Sequence, residues 1–219
     1  MEKYLSFIVM GICAVYFILM QYLTRKYSNE LKDALTNNPD NFENIIDKPL
    51  VKFLFQGAGR EFIRLNYFMS YGTKEEVQQQ FDLLDSMKIH KKQKNQLYQT
   101  MLQYYIMNDD KENSLKLVDR YNNFADENNL GDDAKKAFAM EIEMYFEKTM
   151  SCIEYIDERM QFASEAEKVV LSYKKAVILK ENNYIEEAKE CVRYIMEATT
   201  DPKQREVMEE ALNNNLETL

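Results

Sequence analysis

The chain has 219 residues, 46% of them hydrophobic and 30% charged, and a formal net charge of −9. This acidic balance excludes a general nucleic-acid binder, which needs Lys and Arg to neutralise phosphates. Five glycines and three prolines are too few for an all-β or α/β chain, which must turn often. With Glu, Lys, Leu, Met and Ala filling the long stretches, the composition is helical.

In chain order, the first element is an apolar run. From Tyr4 to Thr24 no side chain is charged, with Lys3 before the run and Arg25 and Lys26 after it. About 20 apolar residues at a 1.5 Å rise cross a hydrocarbon core of about 30 Å. Residues 1–24 are therefore expected to be a single transmembrane anchor, with Tyr4 and Tyr22 at the two interfaces. A cleaved secretory signal fits less well, because Met20, Gln21, Tyr22 and Leu23 offer no small-residue cleavage site. Arg25, Lys26 and Lys32 outnumber Lys3, which directs the following domain to the cytoplasm by the positive-inside rule. Cys152 and Cys191, isolated in sequence, agree with a reducing compartment. The expected location is the cell membrane, spanned once.

Residues 25–50 read as a stalk. Tyr27, Leu31 and Leu35 could line one side of a helix continuing the anchor, which Asn37-Asn38-Pro39-Asp40 breaks. Lys48-Pro49 marks a second boundary. From Leu50 onward helices follow one another across short polar joints. Thr73–Glu76 and Ser164–Glu167 are capping boxes. Asp201 with Pro202 is a further helix start, and residues 201–219 read as a capping helix and tail. On that helix Val207, Met208, Ala211 and Leu212 are expected to cover the preceding repeat.

The joints recur, and a period of 37 residues runs through residues 51–200. Val77, Ser114, Ser151 and Ala188 share this spacing, as do Phe81, Val118, Tyr155 and Val192. So do Leu65, Leu102, Ala139 and Ala176, and Phe68, Tyr105, Ile142 and Leu179. Leu84, Tyr121 and Ile195 form a fifth column that Glu158 breaks. Each unit is a helix pair that cannot bury its apolar face alone, so stacked copies build a continuous core. The expected fold is all-α: an N-terminal transmembrane helix, an α-solenoid of about four antiparallel helix pairs, and a C-terminal capping helix.

The pattern resembles the tetratricopeptide repeat, most closely at Ala176, Leu179, Ile185, Ala188, Val192 and Ile195. It departs in its period, against about 34 residues in the family, in the absence of Trp, and in Leu65 and Leu102 where a small residue is usual. The resemblance implies a protein or peptide partner held on a concave face of first-helix residues. By position these are Phe62, Asn66, Met69, Gln99, Gln103, Ile106, Lys136, Met140, Tyr173 and Val177. Phe62 stands where the family's carboxylate-binding members place a Lys, so no carboxylate clamp is expected.

No constellation for chemistry accompanies this surface. His90, the only histidine, lies among lysines, which discourage both a cation and a metal. The cysteines have no partner at ligand spacing. Gln56-Gly57-Ala58-Gly59-Arg60 lacks the lysine and the preceding strand of a phosphate loop. No cofactor, no metal and no catalysis are expected. The reading is a membrane-anchored adaptor, with the membrane held through residues 4–24. The alternative is a regulatory subunit or a carboxylate-based enzyme of a membrane-associated complex.

Overall fold

The computed structural model describes residues 2–219, with side chains from residue 10 onward except residue 12. Among these residues the protein is all-α: twelve α-helices, one 3-10 turn, one π-helical turn and no strand. The first helix, α1 (Glu2–Asn37), is unbroken over 36 residues. Among the described residues no helix is long and apolar enough to cross a membrane. The expected anchor, Tyr4–Thr24, includes residues 4–9 and 12, whose side chains lie outside those described.

Helix α1 stops where Asn38 (φ −147°, ψ 67°) precedes Pro39, whose ring disfavours helical backbone in the residue before it. A 3-10 turn (Pro39–Asn41), α2 (Phe42–Ile46) and α3 (Pro49–Leu54) follow. Residues 25–50, read as a stalk, carry a core of their own. Leu31 and Ala34 of α1 bury with Phe42, Ile45, Ile46 and Val51, and Tyr27, Leu35, Ile63 and Tyr67 pack around them. The Phe42 and Tyr67 rings stack at 4.3 Å.

The chain divides into two compact units, with the boundary after Met101, inside α6 (Lys91–Met107). In the first unit, α4 (Ala58–Tyr71) pairs with α5 (Lys74–Ser86) and buries Leu65, Val77, Phe81 and Leu84. The Thr73 capping box forms: Glu76 N–H donates to Thr73 Oγ1 at 3.2 Å, and Thr73 N–H to Glu76 Oε2 at 2.8 Å.

The second unit contains α7 (Lys111–Glu127), α8 (Asp132–Ile142), the π turn (Glu143–Glu147), α9 (Ser151–Met160), α10 (Glu165–Glu181), α11 (Ile185–Ala198) and α12 (Pro202–Asn213). Ser164 completes its box with Glu167, and Asp201 caps α12. Several joints close on a left-handed residue: Asp109 (φ 54°), Asn129 (φ 52°) and Asn183 (φ 65°). Asn and Asp adopt this conformation at lower cost than most residues. The next N–H then returns to a carbonyl five residues back, as from Asp110 to Tyr105, Leu130 to Ala125 and Tyr184 to Leu179, the helix-ending arrangement of a Schellman motif. The architecture is compatible with an α-solenoid of successive helix pairs.

The period of 37 slips in the third pair. Val77, Ser114 and Ala188 are buried, but Ser151 is exposed and Cys152 is fully buried in its place. The π turn supplies the reason. It closes with the Lys148 N–H on the Glu143 carbonyl at 2.8 Å, and this wider turn inserts one residue into the helical register. Tyr155 nevertheless stays buried in its column beside Ile156, and Glu158, the break in the fifth column, is exposed. In α12 the expectation for the apolar face needs one correction. Met208 and Ala211 bury against α11 with Leu216, whereas Val207 remains 49% exposed.

Candidate functional site

The second unit contains a cavity of about 640 Å³, lined by α6, α8, the π turn, α10 and Leu219. Gln103, Ile106 and Met107 enter from α6, and Tyr173, Lys174 and Val177 from α10. These two helices present side chains at helical spacing, three and four apart, so each offers a stripe to the cavity. The π turn adds Met144, Tyr145 and Phe146, a dense apolar run that the widened backbone directs to the same place.

Polar groups occupy the remaining lining. Lys174 Nζ donates to Glu141 Oε2 at 2.5 Å, joining α10 to α8. Lys148 holds the left-handed conformation (φ 49°) that ends the turn, and its ammonium lies 3.5 Å from Glu181. Glu143 stands behind the turn and accepts hydrogen bonds from the Thr149 and Ser151 hydroxyls at the start of α9. Those donors hold its carboxyl below the usual glutamate range.

Six of the ten residues predicted for partner binding belong to the second unit, and four of them, Gln103, Ile106, Tyr173 and Val177, line the cavity. The other two do not. Met140 packs against the core of Met144, Cys152 and Ile156. Lys136 sits with Nζ 5.4 Å from the Tyr155 ring centroid and 3.7 Å from Glu158. Phe62, Asn66 and Met69 on α4, with Gln99 on α6, fall in the first unit. Of the cavity residues that sequence reasoning missed, Met144, Tyr145 and Phe146 had one signal. They sit immediately before the point where the repeat loses its register.

Apolar side chains and polar groups share the lining. Glu141 is already paired with Lys174. Among the described residues no group of three His, Cys, Asp or Glu side chains is placed to hold a metal ion. Burial pushes the Cys152 and Cys191 thiols up, away from the thiolate form that reacts. Fold and cavity together define a class: an all-α protein, compatible with an α-solenoid, with a cavity of mixed apolar and polar lining. In comparison with known proteins, the chain matches no family model, no curated protein and no solved structure.

Proposed function

We propose that this chain is a membrane-anchored adaptor of tetratricopeptide-like design, which binds a protein or peptide partner in the cavity of its second unit and performs no catalysis. The observation that carries this reading is the lining itself. Met107, Met144, Tyr145, Phe146 and Tyr173 converge on one space, with Met107 83% exposed. Flexible thioethers and aromatic faces suit adaptable contact with a peptide. The polar rim supplies orientation, and with no cofactor or metal in the reading its role is recognition.

The anchor belongs to the same proposal. On α1, Val15, Phe17, Ile18 and Leu19 are all more than half exposed. Consecutive residues point in different directions around a helix, so this stretch is apolar all round, as a lipid-facing segment is. Tethering at the cell membrane, with the folded units in the cytoplasm, would raise the effective concentration of the adaptor for membrane-bound partners.

Photocrosslinking in cells tests the cavity, with a crosslinker placed at Gln103 or Tyr173 and, as a control, at the exposed Lys116 on α7. A discrete partner captured from the first two positions and absent from the third is expected. Capture only from Lys116 overturns the site. Alkaline carbonate extraction tests the anchor: the full chain is expected to stay with the membrane pellet, and its release into the supernatant overturns that part.

A further inference from the structure

We infer that a second groove of this chain, lined by α9, α10 and α11, takes a cationic amphipathic segment of another protein, an interaction separate from that of the cavity. Its volume is about 500 Å³, and it lies wholly within the second unit. Glu187, Glu190, Cys191 and Tyr194 reach it from α11 in steps of three, one and three residues. Ile153, Asp157 and Met160 reach it from α9 in steps of four and three. That spacing sets side chains on one side of a helix, so each helix gives the groove a coherent face.

Apolar side chains make up much of the lining. Leu179 of α10 is buried, and Ile153, Met160 and Cys191 are half-buried. Met150 and Tyr184, also in the lining, are 38% and 46% exposed. A thioether and an aromatic ring left this open to water gain by covering with a partner's apolar side chains.

The charges select the partner. Lys175 Nζ donates to Asp157 Oδ1 at 2.5 Å, so these two groups of the lining cancel. Lys189, the neighbouring lysine of α11, is held by Glu186 at 2.9 Å. Glu187 and Glu190 are exposed, and among the described residues no ion pair reaches either. In the cavity, by contrast, Lys174 and Lys148 each meet a glutamate. The groove therefore keeps two uncompensated carboxylates beside apolar side chains. They repel nucleic acid and anionic lipid and attract Lys or Arg. A segment with apolar residues on one face and Lys or Arg on the other satisfies both parts of the lining, with the carboxylates setting its register.

Fluorescence anisotropy tests this, with a labelled Leu/Lys peptide patterned as an amphipathic helix. It is titrated with the full chain in phosphatidylcholine nanodiscs, and empty discs give the background. Glu187→Gln with Glu190→Gln is expected to weaken binding about fivefold, the loss of two exposed charge pairs. Glu206→Gln with Glu209→Gln, which removes the same charge from exposed positions of α12, is expected to leave binding unchanged. A Ser/Lys peptide of equal charge is expected to bind more weakly. Equal loss from the two double variants, equal binding of the Ser/Lys peptide, or no binding at all overturns the groove. Loss confined to Met107→Ala with Tyr173→Ala puts the peptide in the cavity, which overturns the groove and leaves the cavity standing. Self-association of the chain without peptide, abolished by Glu187→Gln with Glu190→Gln, makes a second copy the occupant and overturns the separate partner.

Discussion

The carbonyl oxygen of Lys148 accepts a hydrogen bond from Asn182 Nδ2 at 2.7 Å. The same amide donates to the Ile178 carbonyl at 2.8 Å, so one side chain ties the end of α10 to the left-handed residue that closes the π turn. This bond lies at the end of the turn that carries Met144, Tyr145 and Phe146. Replacing Asn182 by Ala leaves the Lys148 carbonyl without this donor. The expected cost is about 1–2 kcal/mol, read as a thermal midpoint lower by about 2–4 °C for each kcal/mol. An unchanged midpoint would show that water replaces the amide at no cost.

Lys148 itself carries backbone strain. A non-glycine residue in the left-handed region costs roughly 1–2 kcal/mol, and its ion pair with Glu181 is exposed enough to contribute little. Lys148→Gly is therefore expected to be neutral or stabilising, whereas Lys148→Val is expected to destabilise, because a β-branched residue tolerates this region less well than Lys. Chemical denaturation of the two variants side by side checks the order, which reverses if the turn is not left-handed in solution.

The register slip predicts a contrast between neighbours. Cys152 is fully buried, and Ser151 is exposed with its hydroxyl on Glu143 at 2.7 Å. Cys152→Leu forces extra volume into a filled position, at a cost of about 1–3 kcal/mol. Ser151→Ala costs only a hydrogen bond, about 1 kcal/mol. A strict 37-residue repeat would bury Ser151 instead, and a larger loss from Ser151→Leu than from Cys152→Leu would favour it.

In the first unit, Glu61 is buried among Arg60, Arg64 and Gln80. Burial pushes its carboxyl up. Hydrogen bonds from Gln80 and Arg60, with the charges of Arg60 and Arg64, outweigh this and hold it below the usual range. A depressed folded-state value means stabilisation that is complete above the unfolded value of about 4.3 and is lost as pH falls through the folded value. Thermal midpoints are expected to drop below about pH 4.3, and Glu61→Gln is expected to flatten that part of the profile while lowering stability at neutral pH. Parallel profiles for the two proteins contradict this assignment.

At the cavity, Met107 is 83% and Tyr173 41% exposed. The double substitution Met107→Ala with Tyr173→Ala is expected to weaken partner binding about tenfold or more, equivalent to 1.4 kcal/mol, with the helical content unchanged. Titration of the purified partner recovered by crosslinking measures it.

Helix starts and stops were legible in the amino-acid sequence because their chemistry is local. The Thr73, Ser164 and Asp201 caps, the Asn-rich joints and the break at Pro39 each depend on a few adjacent residues. Most of the repeat columns were legible too, since a buried face imposes its spacing on the chain. The cavity was legible only in part. Gln103, Ile106, Tyr173 and Val177 follow from position within a helix pair, but Met144–Phe146 depend on a wider turn, and such a turn is set by hydrogen bonds five residues apart and by Asn182 from another helix. Likewise, residues 25–50 carry apolar side chains at modest density, and only the stacking of Phe42 on Tyr67 and the packing of Ile63 around Leu31 and Ala34 made them a core. The sequence by itself determined that this is a helical chain with an apolar start. The tertiary structure decided which apolar side chains meet, because the partners that bury them are distant in sequence and are brought together only by packing.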